Sequence, residues 1–415
     1  MDERSPEFGG LSRRDAMKLG LISAGFSLLP TDEASAARPP TDTDGRDEGA
    51  LYEGRNLSGG GQLDPRLSMS PFVEDPDYVE VAQRMSPFNL DSLFTENKRM
   101  AERNEQLAQE FEKEGHKISA NTFYLRAARF YQRAVGLMPE ADGRMLPAFQ
   151  KLLDTYEKAW KLVPAPYERV QIPYEGSTLP GYLSKPRGNN LQRLPAVIAY
   201  GGADSTVTPT WGPEYLQRGM AYLFVDGPGQ GVPLRIKKIY APPDAEKVGK
   251  AIVDYLVSRS DVDPNRIGIT GASMGGYTAP RMASGEKRLK AVAVWAGAYS
   301  LREDIFDYFP PIQDRLRWLC GAQDMAEARK KMTEFTLEGR AAEIECPMFI
   351  GYSSDDRIMD PRGAFRLNKA ATRSQKVMVE GVGHDSGRIF PYRRTKADKE
   401  ILMADWMAKQ LGVSS

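Results

Sequence analysis

Apolar side chains recur three and four positions apart along the segment 76–163, a spacing that places them on one face of an α-helix. Helices are predicted there over 91–114, 119–138 and 141–163. Gly115 is expected to end the first of them, and Ser119 to be the N-cap of the second. Several aromatic side chains fall on overlapping helical faces, so this segment should have a buried side.

From residue 164 the pattern changes to short apolar runs separated by helical stretches. Residues 167–185 alternate apolar and polar side chains around Glu175-Gly176-Ser177, which predicts an antiparallel hairpin. Further strands are predicted over 195–200, 221–225, 266–270, 291–295, 348–352 and 376–379. Strands that alternate with helices indicate a mostly parallel sheet with helices on both faces, and the hairpin supplies an antiparallel edge. The predicted fold class is α/β.

These changes of pattern divide the 415-residue chain. A flexible linker is predicted over 37–75, where proline, glycine, aspartate and serine dominate and no apolar period is present. A helical domain over 76–163 and an α/β domain over 164–415 follow it. In such a sheet the reactive groups belong at the carboxyl ends of the strands, so the loops there are the places to search for chemistry.

The N-terminal segment 1–36 resembles a twin-arginine export signal. An arginine pair in 12–18 precedes an apolar run over 19–29 and then the small-x-small pattern of 34–36. The run is shorter than the ~20 residues that span a bilayer, so a cleaved signal is expected rather than stable membrane insertion. The expected partner is the twin-arginine export machinery, and the expected location is periplasmic or secreted. A plain tail carrying an arginine pair is the alternative, because acidic residues stand next to the cleavage site.

Charge and cysteine content narrow the function classes. Lys+Arg and Asp+Glu both number 56, so no broad basic face indicates nucleic-acid binding, and a small-molecule substrate is expected. Cys320 and Cys346 exclude a disulfide-dense scaffold and show no metal-ligand spacing; a single bond between them stays open. No metal or cofactor is expected. A homodimer is also left open.

Gly268-Ile-Thr-Gly-Ala-Ser273-Met-Gly-Gly276 contains the pattern Gly-x-Ser-x-Gly. The residues before it are a predicted strand and those after it a predicted helix, which is the context of a nucleophile elbow. Gly271 and Gly275 keep side chains out of a tight turn that strains Ser273 and projects its hydroxyl. Ser273 is therefore the candidate nucleophile.

A serine nucleophile needs a base, usually a histidine, and the chain has only two. His116 lies at the junction of two helices, where an exposed or capping role is expected. His384 follows the last predicted strand, at the same sheet edge as Ser273. His384 is the candidate general base and acid.

The acid that orients this histidine is expected in the loop Ser353-Ser-Asp355-Asp356-Arg-Ile358, between the serine and the histidine in chain order. Asp356 is favoured because an acid followed by one residue and then isoleucine is usual there. Asp355 stays open as the alternative acid. A purely structural reading has both aspartates capping a helix near Pro361.

An oxyanion hole requires two N–H donors aimed at one point. The backbone N–H of Met274 is the expected first donor, and Gly202 or Ala203, in the loop after the strand 195–200, the second. The run Asp226-Gly-Pro-Gly-Gln-Gly231 lacks the lysine of a phosphate-binding loop, so it is expected to be a tight turn that shapes the pocket.

Together GASMGG, DGPGQG, SSDDRI and the terminal GVGH resemble the α/β-hydrolase superfamily over about residues 167–411. The runs GHKISANTFYLRAARFYQRA, YERVQIPYEGSTLPGYLSKP and GGADST are similar to the branch that contains 2,6-dihydroxypseudooxynicotine hydrolase and fungal hydrolases that shorten polyketide pigment precursors. This resemblance implies an N-terminal helical cap over 76–163 and a triad of Ser273, Asp356 and His384. It also implies hydrolysis of a carbon–carbon bond next to a ketone.

Other functions remain open on the same residues. Related members of the superfamily are esterases, so an exported carboxylesterase on small-molecule esters is the alternative. A non-catalytic binding protein of the same fold is a third reading. A peptidase is a weaker one, since the helical segment contains no propeller-like repeat.

Overall fold

A computed structural model describes residues 76–86, 89–163, 167–188, 192–206, 212–381, 383–384 and 399–413. The predicted signal 1–36 and linker 37–75 lie outside these residues. Among the described helices, none combines the length and apolar character needed to cross a membrane.

Helices form the N-terminal part of the described chain. They are α1 (Pro76–Arg84), α2 (Leu90–Lys113), α3 (Lys117–Val135) and α4 (Met145–Leu162). Gly115, with φ +81°, lies just beyond the C-cap Glu114 of α2 and ends this helix, as predicted. The predicted first residues of the next two helices, α3 and α4, were wrong. His116 is the N-cap of α3, so Ser119 lies inside the first turn, because the chain reverses at Gly115 and needs no further residues.

The second wrong start concerns α4, which begins four residues later than the predicted 141. The side chain of Asp142 accepts a hydrogen bond from the backbone N–H of Arg144 at 2.9 Å, with Nε of the same arginine at 3.0 Å. This local turn gives the backbone N–H of Arg144 a hydrogen-bond acceptor in a non-helical conformation, so the helix begins only after it.

A single eight-stranded sheet is present in the described residues, in the order β1-β2-β4-β3-β5-β6-β7-β8. Its strands are β1 (Tyr167–Tyr174), β2 (Ser177–Ser184), β3 (Leu194–Tyr200), β4 (Ala221–Val225), β5 (Val262–Ala272), β6 (Leu289–Trp295), β7 (Met348–Tyr352) and β8 (Lys376–Glu380). Only β1 with β2 and β2 with β4 pair antiparallel, so the hairpin is the antiparallel edge, as predicted. All the other pairs are parallel.

Helices cover this sheet and fill the connections. They are α5 (Pro213–Gln217), α6 (Gly231–Arg235), α7 (Glu246–Val257), α8 (Gly275–Gly285), α9 (Gln313–Leu319), α10 (Met325–Met332), α11 (Arg362–Ala370) and α12 (Lys399–Gln410). Every residue of β3 and β4 is buried, which explains their unbroken apolar sequences. The α/β fold class predicted from the pattern is confirmed.

The apolar core has a large cluster around the sheet and a second one among the N-terminal helices. Leu234 of α6 and Trp318 of α9 belong to the second cluster. The N-terminal helices therefore pack against elements that follow β4 and β6, at the end of the sheet where parallel strands terminate.

Candidate active site

Ser273 lies in the sharp turn between β5 and α8. Its φ is +57°, a left-handed conformation that a residue with a side chain adopts only under strain. The flanking glycines are required by space: a Cβ on Gly271 would lie 2.2 Å from the carbonyl oxygen of Gly275, and one on Gly275 would lie 2.2 Å from that of Tyr200. The predicted strand, turn and helix are present.

His384 and Asp356 form a buried pair. Nδ1 of His384 lies 2.8 Å from Oδ2 of Asp356, and the two residues are 8% and 4% exposed. The other oxygen of Asp356 accepts the backbone N–H groups of Ile358 at 2.8 Å and Met359 at 2.9 Å. These bonds fix the carboxylate so that one oxygen faces the imidazole.

Asp355, the alternative acid, has a different partner. Its Oδ1 accepts the backbone N–H of Gly383 at 2.7 Å, so it tethers the loop that carries the histidine. Neither aspartate caps α11: Pro361 is the N-cap of that helix, and Asp360 accepts the N–H of Arg362 at 3.0 Å. The capping interpretation of the two aspartates is wrong.

The residues expected to form an oxyanion hole lie close to Ser273. Met274 is the N-cap of α8, so its N–H is at the positive end of a helix. A Cβ on Gly202 would be 3.2 Å from Cβ of Ser273 and 3.4 Å from its Oγ. Ala203 is buried beside it. The loop after β3 therefore passes directly over the serine, and only a glycine fits at 202 without a shift.

Gln230 holds this loop in place, a role that the sequence did not reveal. Its Nε2 donates to the carbonyl oxygens of Gly201 at 2.7 Å and Gly202 at 2.9 Å, while its Oε1 accepts the N–H of Gly227 at 3.1 Å. The turn 226–231 was expected to shape the pocket. The glutamine is fully buried among the glycines of this turn, which only the structure shows.

Side chains from β6 and the following segment support the pair. Tyr308 donates its hydroxyl to the carbonyl oxygen of Asp356 at 2.7 Å, and Trp295 donates Nε1 to the carbonyl oxygen of His384 at 3.2 Å. Sequence patterns do not reveal such contacts, because 48 and 89 positions separate the partners.

The remaining candidates lie away from this site or form no site. His116 is exposed, as expected, and lies 3.7 Å from Glu114. Cys320 and Cys346 are both free thiols, so the alternative of a bond between them is wrong. No group of three histidine, cysteine or acidic side chains in the described ranges could hold a metal ion.

Two family models match the chain. The prolyl oligopeptidase family matches residues 208–414, and an esterase FrsA-like family matches residues 97–303. The first match spans the serine, aspartate and histidine described above, and the second joins the N-terminal helices to the elbow.

Similar proteins are hydrolases. The chain is 34% identical to 2,6-dihydropseudooxynicotine hydrolase from Paenarthrobacter nicotinovorans over 44% of this chain and 49% of the relative. It is 30% identical to Hydrolase LUC6 from a Fusarium species, over 45% of this chain and 54% of the relative. The chain spans about half the length of the curated relatives it matches.

A solved structure extends the similarity to most of the chain. The crystal structure of 2,6-dihydroxy-pseudo-oxynicotine hydrolase matches with a TM-score of 0.68 and 26% identity, over 81% of this chain and 93% of the other. This similarity therefore includes both the N-terminal helices and the sheet.

Proposed function

We propose that this chain, which belongs to the α/β hydrolases, is a serine hydrolase with Ser273 as nucleophile, His384 as base and Asp356 as the orienting acid. The observation that carries the proposal is the buried 2.8 Å contact between His384 and Asp356, at the same sheet edge as a serine with φ +57°. Asp356 engages Nδ1, which leaves Nε2 of the imidazole for proton transfer.

The mechanism follows from these positions. Nε2 of His384 removes the hydroxyl proton as Ser273 attacks a carbonyl carbon, and the carbonyl oxygen becomes an anion. The N–H of Met274, with that of Gly202 or Ala203, stabilises this anion. The protonated imidazole then gives its proton to the leaving group, and water, activated by the same base, hydrolyses the acyl-enzyme.

We propose a carbon–carbon bond next to a ketone as the bond cleaved. A carbon leaving group departs as a carbanion, so the substrate must stabilise that charge, as a 1,3-diketone or an electron-poor aryl ketone does. Support comes from the similarity to 2,6-dihydropseudooxynicotine hydrolase in sequence and in structure. A carboxylesterase is the second candidate, supported by the match to an esterase family over residues 97–303.

A substrate panel separates the two candidates. The purified protein is assayed with aryl 1,3-diketones and with p-nitrophenyl esters, and we expect diketone cleavage that is lost in Ser273→Ala. Rapid ester turnover with inert diketones would favour the carboxylesterase instead.

Fluorophosphonate labelling tests the serine itself. We expect labelling of the wild type and of Ser258→Ala, a control that removes a serine from the exposed end of α7, but not of Ser273→Ala. An unlabelled wild type would indicate a binding protein that keeps the fold without the chemistry.

A further inference from the structure

Three arginines meet where the N-terminal helices contact the loops above the sheet. Arg133 is on α3, Arg235 ends α6 and Arg315 is on α9. We call them the arginine cluster. Arginine is rarely buried without a partner, so the two buried members, Arg235 and Arg315, require an explanation.

Two members of the cluster have donors that the protein leaves unused. Arg235 is 1% exposed, and its Nε and Nη1 meet no acceptor among the described residues. Arg315 is 5% exposed, and its Nε and Nη1 are in the same state, although its Nη2 donates to the carbonyl oxygen of Gly136. Buried donors without acceptors are costly, and native proteins keep few of them.

Aromatic rings surround these guanidinium groups. Cζ of Arg235 lies 5.0 Å from the ring centre of Phe149 and 5.8 Å from that of Trp318. Cζ of Arg315 lies 4.9 Å from the same indole. Burial lowers the pKa of Arg235 to about 10 and lowers the pKa of Arg315 well below its usual value, with the charge of Arg235 adding to the decrease at Arg315. The rings fix the guanidinium planes without neutralising them.

The cluster is connected to the candidate active site through Asp204. The carboxylate of Asp204 attracts all three guanidinium groups. A Cβ on Gly202 would lie 3.2 Å both from Oδ1 of Asp204 and from Cβ of Ser273. The cluster therefore adjoins the loop that passes over the serine.

Carboxylates near the cluster attract its guanidinium groups. Asp204 acts on all three arginines, Asp226 acts on Arg235, and Asp314 acts on Arg315. The cations at its margin are already paired: Arg317 with Asp314 at 2.9 Å and Lys238 with Glu140 at 4.0 Å. An anionic group would supply the acceptors that Nε and Nη1 of Arg235 and Arg315 lack among the described residues.

We propose that the arginine cluster binds a carboxylate on the substrate, on the part that extends from the reacting carbonyl toward the N-terminal helices. The planar fork of a guanidinium matches a carboxylate, and the unused donors of Arg235 and Arg315 would supply charge-assisted hydrogen bonds. This inference rests on the proposed function, because it assigns a substrate class to that site: aryl ketones or esters that carry an acid group.

Matched substrates test the proposal. The pairs are benzoylacetone with its 4-carboxy derivative, and phenyl acetate with 4-acetoxybenzoate. In the wild type, kcat/KM should favour the carboxylated member of at least one pair by tenfold or more. Arg235→Met and Arg315→Met should each lower this preference by about 10- to 100-fold. Arg317 is on the same helix as Arg315, but its guanidinium is paired with Asp314. Arg317→Met should therefore keep the preference for the carboxylated substrate.

Thermal unfolding separates a binding role from a structural one. Methionine fills the space of a buried, unsatisfied arginine without its charge, so Arg235→Met should have a Tm equal to or above that of the wild type. A lower Tm with an unchanged preference would overturn the proposal, as would a wild type with no preference. Competitive inhibition of the wild type by benzoate but not by benzamide gives a test that needs no variant.

Failure of the proposed function would give a different result. If no substrate of either pair is hydrolysed, terephthalate should still raise the Tm of the wild type and leave that of Arg315→Met unchanged. Absence of this stabilisation would reject the carboxylate site, whatever the outcome for the chemistry.

Discussion

Oδ2 of Asp356 lies 2.8 Å from Nδ1 of His384, whereas the neighbouring carboxylate of Asp355 accepts the backbone N–H of Gly383 at 2.7 Å. Two adjacent acids thus contact the same loop in different ways. One faces the imidazole, and the other holds the backbone that carries it.

This division predicts unequal effects of two matched substitutions. Asp356→Asn keeps the shape but no longer favours the tautomer with its proton on Nδ1, so kcat should fall by about 1,000- to 10,000-fold. Asp355→Asn keeps an amide oxygen for Gly383, so kcat should fall by less than about tenfold. Steady-state kinetics on one substrate measures both. The opposite order would make Asp355 the triad acid.

The strain at Ser273 predicts which of two inactivating substitutions gives the more stable protein. At φ +57° a glycine is relaxed and an alanine is not, so Ser273→Gly should be more stable than Ser273→Ala by about 1 kcal/mol. Urea unfolding of both inactive variants gives the difference in the free energy of unfolding. Ser119 lies inside α3, where glycine is unfavourable, so Ser119→Ala should have a free energy of unfolding about 1 kcal/mol above that of Ser119→Gly. Equal signs at the two positions would contradict a strained elbow.

Much of the sheet could be predicted because its central strands β3 and β4 are buried on both faces. Strands β4 and β7 begin and end at the predicted residues, since each is a short run without charged or amide side chains. The hairpin was predicted from alternation and from Glu175-Gly176, which have φ values of +43° and +76°. A local pattern is sufficient to predict a strand where the apolar positions of the sequence are also the buried positions of the fold.

The parts that could not be predicted depend on contacts between distant positions. Spacing alone left Asp355 and Asp356 open, because the choice depends on where a loop 28 positions away presents its histidine. Gln230 and Tyr308 act through backbone carbonyls, which leave no trace in a residue pattern. The arginine cluster draws on three helices, so no single segment indicates it.

Asp304 predicts a dependence of stability on pH. It is completely buried; burial raises its pKa to about 6 against the attraction of Arg366, and the charge of Asp360 adds to the increase. Between pH 4 and 6 the folded chain holds a proton that the unfolded chain has released. The free energy of unfolding should therefore fall as pH rises, by up to about 3 kcal/mol from this group.

Comparison with Asp304→Asn isolates that contribution. The stability of the wild type minus that of the variant should decrease from pH 4 to pH 7 in urea unfolding. A difference that increases over this range would mean that the ion pair with Arg366 outweighs burial.

Gln230 predicts a catalytic defect without a binding defect. In Gln230→Leu the carbonyl groups of Gly201 and Gly202 lose their shared donor, so the loop that presents the second oxyanion N–H is no longer fixed. Since this N–H acts on charge that develops in the transition state, kcat should fall by about 10- to 100-fold while KM changes little. Gln171→Leu is the control, because it loses a side-chain bond to Thr178 at the sheet edge and should keep kcat. A rise in KM with kcat unchanged would instead assign Gln230 to substrate binding.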